Sequence, residues 1–441
     1  MSRSIAAVTT ALLLLTSLTA LAPAQSPARA AQGGSISVLT YNIAGLPEIG
    51  TDQRPSVNTP IIGERIVRND IVQVQEDFNY HAALYAANDH PHRTPTSGGV
   101  PFGDGLNTLS HYPYSDFARV KWEDCSGVDC LTPKGFTFSR IRLAEGVYLD
   151  FYNLHTNAGV SPADLAARRS NITQLSDYIQ RNSRDNAVIV MGDTNTRYTR
   201  AEDNIRELVD DNGLTDAWVV TEHGGHPPAA GDPALVCDPE ALVDGCEVVD
   251  KILFRGNASI DLELTAYAND HADFLDSAGE MLSDHFPHSA EFTWTTDDTV
   301  QMSDVAGGPH GTPFTDIAHV AADAQPTALT LRGGSRLDAI GMTYADGTRT
   351  AHGGTGGAAT ELILAAGESL TSATLATGKR HGHTRVFSAE FRTNNGRTLR
   401  AGTPTDDAVT FTAPAGWRIA GFHGRSGDEV DKLGLIYTPM A

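Results

Sequence analysis

The stretch Val188-Ile189-Val190-Met191-Gly192-Asp193-Thr194-Asn195 reads as a buried strand that stops at a glycine and delivers a carboxylate and an amide at its end. A short apolar run bounded by a turn signal suits a strand covered on both faces. Just upstream lies a helix. Ser161 is placed to cap it, Pro162 suits its first turn and Asp164 favours the helix dipole there. Leu165, Ile172, Leu175 and Ile179 recur at helical spacing. Further strands are expected at Ser35 to Tyr41, Val147 to Asn153, Val248 to Phe254 and Ala290 to Trp294. Strands alternating with helices predict an α/β domain of packed layers.

After Trp294 the texture changes. Residues 295–313 are rich in Thr, Asp, Gly and Pro, which predicts a linker and the entry to a second domain. From there to Ala441 the chain is rich in Gly and Thr, with turn signals at Asp346-Gly347 and Asn394-Asn395-Gly396. Hairpins are expected at Ser335 to Thr350, Thr384 to Arg400 and Trp417 to Tyr437. The predicted division is a signal peptide over 1–30, a first domain over 33–296, a linker over 297–310 and an all-β domain over 311–441. A length of 441 residues suits at least two domains.

Arg3, the apolar run from Ile5 to Leu21 and the small residues at Ala28-Arg29-Ala30 predict export, with cleavage after Ala30. The run is shorter than the ~20 residues a membrane span needs. Four cysteines fit a secreted protein. They allow three connectivities, and loop closure favours the near pairs Cys125 with Cys130 and Cys237 with Cys246. The net charge of −22 makes nonspecific binding to a nucleic-acid backbone unnatural, although a metal ion could still supply positive charge locally.

Five segments place polar or ionisable residues where a strand ends, and a sixth, around Asp250, puts an acid inside an apolar strand. They are Thr40-Tyr41-Asn42, Gln75-Glu76, Asn153-Leu154-His155, Gly192-Asp193-Thr194-Asn195, Val249-Asp250-Lys251 and Ser283-Asp284-His285. Singly each has a dull explanation as a turn, a solvated acid or a core histidine. In this order they resemble the endonuclease/exonuclease/phosphatase superfamily, which includes secreted deoxyribonucleases, bacterial neutral sphingomyelinases and inositol polyphosphate phosphatases. The resemblance covers Ser35 to Trp294. It implies a four-layer sandwich of two packed β-sheets flanked by helices and a magnesium-dependent phosphoester hydrolase. Glu76 and Asn42 would hold magnesium, or manganese or calcium in its place, with Asp284 contributing. His285 would act as general base with Asp250 orienting its ring; Asp193 and Asn195 would position water and phosphate, and His155 would bond the phosphoryl oxygens. The roles of Asp193 and His285 can be exchanged.

The segments Gly311-Thr312-Pro313-Phe314 and Phe422 to Tyr437 resemble jacalin-related lectins, whose fold is a β-prism of three four-stranded sheets. That resemblance implies a sugar held at Gly311 and along Gly427, Asp428, Glu429 and Asp431. Where the family often carries an aromatic residue, this loop has Asp428 and Glu429.

The expected partners are therefore a phosphoester, whether phospholipid, nucleic acid or small phosphate ester, and a glycan, with no stable protein partner. A sphingomyelinase-like or phospholipase C-like lipid hydrolase leads, ahead of a secreted endonuclease or an inositol-phosphate phosphatase. A glycan-binding adhesion protein with an inactive hydrolase scaffold is the reading from another class. Trp122, Phe136 and Phe138 lie where a bilayer-contacting loop could use them, or where a core could.

Overall fold

Residues 32–320 and 325–440 are described by the computed structural model; the expected signal peptide, 1–30, lies outside them. Two six-stranded sheets form the first domain. One runs in the order Ile260–Asn269, His288–Thr296, Gly33–Asn42, Ile71–Gln75, Asn107–Ser110, His92–Arg93. The other runs Tyr114–Lys121, Gly135–Ala144, Val147–His155, Val188–Asp193, Asp250–Arg255, Thr215–Asp216.

Alternation along the strands explains the layering. Val38, Ile71, Leu149, Phe151, Ile189, Met191, Ile252 and Phe292 project between the sheets and form one core. Their sequence neighbours project outward. Leu39, Tyr41, Val72 and Val74 pack with Ile62, from the helix Pro55–Arg65, and with Leu84, from His81–Ala86. Tyr152, Leu154, Val190 and Leu253 pack with Ile172, Leu175 and Ile179 of the helix Pro162–Asn182. Helix, sheet, sheet and helix make four layers, as expected. The Ser161 cap is formed in full, with a reciprocal bond between Ser161 and Asp164.

The inner faces change character along their length. Ile36 and Val38 give way to Thr40 and Asn42, Ile71 to Gln73 and Gln75, Phe151 to Asn153 and His155, and Met191 to Asp193. The antiparallel strand Asp250–Arg255 runs the other way and brings Asp250 opposite Asp193. One end of the sandwich is thus apolar and the other polar. Between them a buried amide layer ties the sheets together: Gln75 Nε2 donates to Asn153 Oδ1 at 2.8 Å, and Asn153 Nδ2 donates to the Val74 carbonyl at 3.0 Å.

The second domain is a prism of three four-stranded sheets around a single core that includes Leu329, Ile340, Leu375, Phe391, Phe422 and Leu435. All three expected hairpins pair. The linker expected over 297–310 needs correction. Gln301–Gly307 is a strand of the prism, hydrogen-bonded to Val430–Pro439. Its short, Gly-bounded pattern hid a partner at the far end of the chain.

That strand also docks the prism on the apolar end of the sandwich. Asp304 accepts from both Nε and Nη2 of Arg142, at 2.9 and 2.7 Å, from the Gly146 amide at 2.9 Å and from the Tyr148 hydroxyl at 2.8 Å. Lys432 pairs with Asp116 at 2.5 Å, with both side chains buried. Gly146 turns the chain between Gly135–Ala144 and Val147–His155 at φ +71, and a Cβ there would strike the Met302 carbonyl. The strand Val147–His155 starts at this contact and ends among the polar groups, so the prism sits at the opposite pole from them.

Candidate active site

The polar end gathers most of the residues singled out in the sequence. In-register pairing sets His155 beside Asp193 and Asp250 beside Asp193. His285 arrives from the turn before His288–Thr296. Ser283 fixes that turn by donating to the Asn42 carbonyl at 2.7 Å and accepting from the His285 amide at 3.2 Å. His285 Nδ1 lies 2.9 Å from Asp250 Oδ2, and its Nε2 lies 3.7 Å from Asp193 Oδ2. Asp250 therefore orients the ring while Nε2 faces Asp193. The ligand atoms of Asp193, Asp250 and His285 fall within 4.8 Å of one another.

Asn42 bridges to the other sheet. Its Nδ2 donates to Asp193 Oδ2 at 3.2 Å and to Glu76 Oε1 at 3.3 Å. Glu76 holds a left-handed backbone at φ +57, a conformation that costs a non-glycine residue on the order of 1 kcal/mol. Asn195 is also left-handed, at φ +49. Its amide donates to Asp193 Oδ1 at 3.0 Å and its side chain donates to the Thr156 carbonyl, which pins it beside the carboxylate. Asp284 is brought to the rim but stays exposed, hydrogen-bonded only weakly to Ser283 at 3.5 Å.

Sequence reasoning misses Lys134. Its Nζ lies 2.8 Å from His155 Nε2 and 2.5 Å from Asp129 Oδ1. The same Nε2 is 3.1 Å from Asp193 Oδ2. One imidazole nitrogen donates or accepts but not both, so the proton on His155 selects between Asp193 and Lys134. Lys134 stands just before Gly135–Ala144 and just after the loop closed by the Cys125–Cys130 disulfide. A lone lysine entering an apolar strand of an acidic chain was the available signal. The second expected disulfide, Cys237–Cys246, is also formed.

Charge in this cluster is balanced locally. Burial works to raise the Asp193 carboxyl, but His155, His285 and Lys134 hold it well below the usual carboxylate range. Burial works against the His285 imidazolium, yet Asp250 and Asp193 raise its pKa well above that of a free histidine. Asp250 is raised by its burial, and its Oδ1 is buried without a partner.

That orphaned oxygen, with the oxygen-rich donors of Glu76, Asn42 and Asp193, suits a hard divalent cation better than a soft one. The residues present fit such an ion. Glu76 and Asn42 would hold it, adjoining Asp193.

The loop residues of the prism also converge. Gly311, Gly427, Asp428, Glu429 and Asp431 border one cavity. Trp122, Phe136 and Phe138 are core residues, packed with Tyr152 and Ile172. Between the first two in sequence, Val128 and Leu131 reach solvent instead.

Residues 65–219 match the Endonuclease/Exonuclease/phosphatase family 2, and residues 303–436 match the Jacalin-like lectin domain. A sphingomyelinase of Mycobacterium tuberculosis is 41% identical over 273 residues, 60% of this chain and 54% of that protein. The chain thus spans about half the length of the curated sphingomyelinases it matches. Horcolin of Hordeum vulgare is 32% identical over 130 residues, 26% of this chain and 88% of that protein. Sphingomyelinase C from Streptomyces griseocarneus aligns at 21% identity and a TM-score of 0.40, over 58% of this chain and 99% of that one. The sandwich and the prism coincide with the two matched regions, so the chain carries an endonuclease/exonuclease/phosphatase-type domain followed by a jacalin-like lectin domain.

Proposed function

We propose that this chain is a secreted, divalent-cation-dependent phosphodiesterase that cleaves the headgroup ester of a phospholipid of the sphingomyelin class, and that its lectin domain attaches it to glycan-bearing surfaces. The observation that carries the reading is the convergence of Asp193, Asp250, His285 and His155 with Asn42 and Glu76 on one polar sandwich end. When bound, magnesium or a similar ion supplies positive charge to offset the anionic phosphate.

The chain's own groups do the rest. Asn195 and Asp193 orient the attacking water. With the Asp193 charge that favours the imidazolium offset by a bound cation, the neutral His285 ring would take the water's proton at Nε2 as the water oxygen bonds to phosphorus, and Asp250 would stabilise the resulting imidazolium. The bond from phosphorus to the lipid oxygen then breaks, and that oxygen recovers a proton from solvent. Lys134 and His155 donate to the phosphoryl oxygens.

A lipid target is supported by what surrounds the site. Ile49, Phe102, Val128, Leu131 and Val160 are among the most exposed large apolar side chains, and all five lie on loops joined to strand ends at the polar pole. Apolar side chains in water around a catalytic mouth fit a bilayer surface better than a soluble phosphate ester. The net charge of −22 runs against nucleic acid. Export is supported by the leader-like N-terminus and by two disulfides.

The test is hydrolysis at neutral pH of sphingomyelin vesicles, double-stranded DNA and an inositol phosphate, each with magnesium and with a chelator. Cation-dependent release from sphingomyelin is the expected result. Preference for DNA or the inositol phosphate overturns the lipid assignment, and activity on none of them overturns the enzyme reading in favour of adhesion.

A further inference from the structure

The loop between the strands Tyr114–Lys121 and Gly135–Ala144 is cross-linked by the Cys125–Cys130 disulfide and contains one turn of 3-10 helix, Gly127–Leu131. That turn sends its apolar side chains into water: Val128 is 79% exposed and Leu131 67%. Looseness does not account for the exposure. The Ser126 amide donates to Asn157 Oδ1 at 2.7 Å, the Asn171 side chain donates to the Asp124 carbonyl at 2.9 Å, and the Glu123 amide donates to Gln174 Oε1 at 3.0 Å. The loop is thereby fastened to the segment that follows His155 and to the helix Pro162–Asn182. Val160, on that same segment, is 68% exposed as well. Apolar side chains held in water by a braced frame suit a surface that removes them from it.

The inward side of the turn has the opposite chemistry. Asp129, between Val128 and Leu131, is mostly buried; one of its carboxylate oxygens lies 2.5 Å from Lys134 Nζ and the other accepts from the Ala158 amide at 2.6 Å. Lys134 Nζ in turn lies 2.8 Å from His155 Nε2. A solvent-facing apolar contact and the ammonium of the phosphate site are thus linked through one residue. Charge restricts what the apolar face can meet. Between residues 121 and 134, Asp129 and Lys134 neutralise each other, and Glu123 and Asp124 outnumber Lys121. With no excess of cations on the loop and a chain of net charge −22, an anionic lipid surface is repelled and a zwitterionic one is not.

We infer that this disulfide-closed loop docks the enzyme on a zwitterionic bilayer, with Val128 and Leu131 entering the lipid and Asp129 on the same turn acting as a positioning residue for Lys134. The inference rests on the reading of the chain as a lipid phosphodiesterase and adds which element meets the membrane and how that element is tied to the site. Because the turn that touches lipid is locked to Lys134, the membrane surface and the ammonium that meets the phosphate keep a fixed relation.

The test compares wild type, the double variant Val128→Asp with Leu131→Asp, Asp129→Asn and Asp129→Glu, each with its fold verified by thermal melting. Binding is read by flotation with vesicles of sphingomyelin and phosphatidylcholine and with vesicles enriched in phosphatidylserine. Turnover is read with magnesium on the zwitterionic vesicles and on para-nitrophenylphosphorylcholine, a soluble phosphodiester. The double variant is expected to lose at least about tenfold in vesicle binding and in the ratio of vesicle to soluble turnover. Asp129→Asn retains an acceptor for the Ala158 amide and should keep vesicle binding while lowering kcat on both substrates by about tenfold at nearly constant KM, with Asp129→Glu restoring part of it. A double variant that binds and cleaves vesicles like wild type overturns the inference and leaves the lipid reading intact, as does tighter binding to the phosphatidylserine vesicles. Wild-type kcat in Asp129→Asn overturns the positioning role. A wild type that hydrolyses the soluble diester but neither binds nor cleaves the vesicles overturns the lipid reading, and the inference with it.

Discussion

Acidic residues concentrate at two places in this molecule, the polar end of the sandwich and the loop of the prism, and the two places use them differently. In the sandwich, Asp193 and Asp250 sit on facing strand ends whose register the backbone ladder fixes, and an oxygen of Asp250 remains unpartnered. In the prism, Glu429 and Asp431 ride on a loop, and arginines from other segments close on both. A carboxylate cluster held apart by a rigid scaffold keeps capacity for a cation and for proton transfer. One closed by guanidiniums has little such capacity left.

The largest effect that could break this contrast is on turnover. His285→Ala should lower phosphodiester hydrolysis by about 10³- to 10⁴-fold, while sugar binding at the other pole stays unchanged. Parallel assays of both functions on one preparation measure this; a joint loss would mean that the two regions are not independent. Next is the contact that holds them together. Lys432→Ala strands the buried Asp116 carboxylate and should cost about 3–5 kcal/mol in urea unfolding, far more than an exposed pair would.

Lys134→Ala should reduce turnover by about 10- to 100-fold, and Lys134→Arg should restore part of it. Full activity in Lys134→Ala would remove the lysine from the site. On pH dependence the two domains should behave alike. Burial pushes His288 in the sandwich and His423 in the prism down to about 3. A histidine that stays neutral when folded but protonates when unfolded stabilises the protein above the ordinary histidine pKa. That stability is lost as pH falls from about 6.5 toward 3, at up to about 1.4 kcal/mol per pH unit for each such group. Denaturant titrations across that window check the sign, and His423→Gln should flatten only the prism's share.

Much of the first domain was legible because its signals are local. The apolar run Val188 to Met191, the Ser161 cap and the polar strand ends each announce themselves within a few residues. Asp193, Asp250 and His155 come together because parity along a strand decides which face a side chain takes, and parity is visible in sequence; His285 joins them from the turn that Ser283 fixes.

What escaped depends on segments far apart. Gln301–Gly307 looked like linker because its partner strand is the last of the chain. Lys134 reaches His155 only through the fold of the segment that follows the first disulfide loop. The two arginines that close on the lectin loop, Arg380 and Arg385, come from the hairpin strands Leu370–Arg380 and His383–Thr393, far in sequence from their partners Glu429 and Asp431. Asp284, expected among the cation ligands, stays at the exposed rim, because the Ser283 turn aims His285 inward.

The most direct test of the central claim is the release of phosphocholine from sphingomyelin vesicles by wild type and His285→Ala, each with magnesium and with excess chelator. Wild type is expected to turn over only with the cation, and the variant to lose at least about 10³-fold. Turnover that survives the chelator, or a variant close to wild type, would contradict the claim.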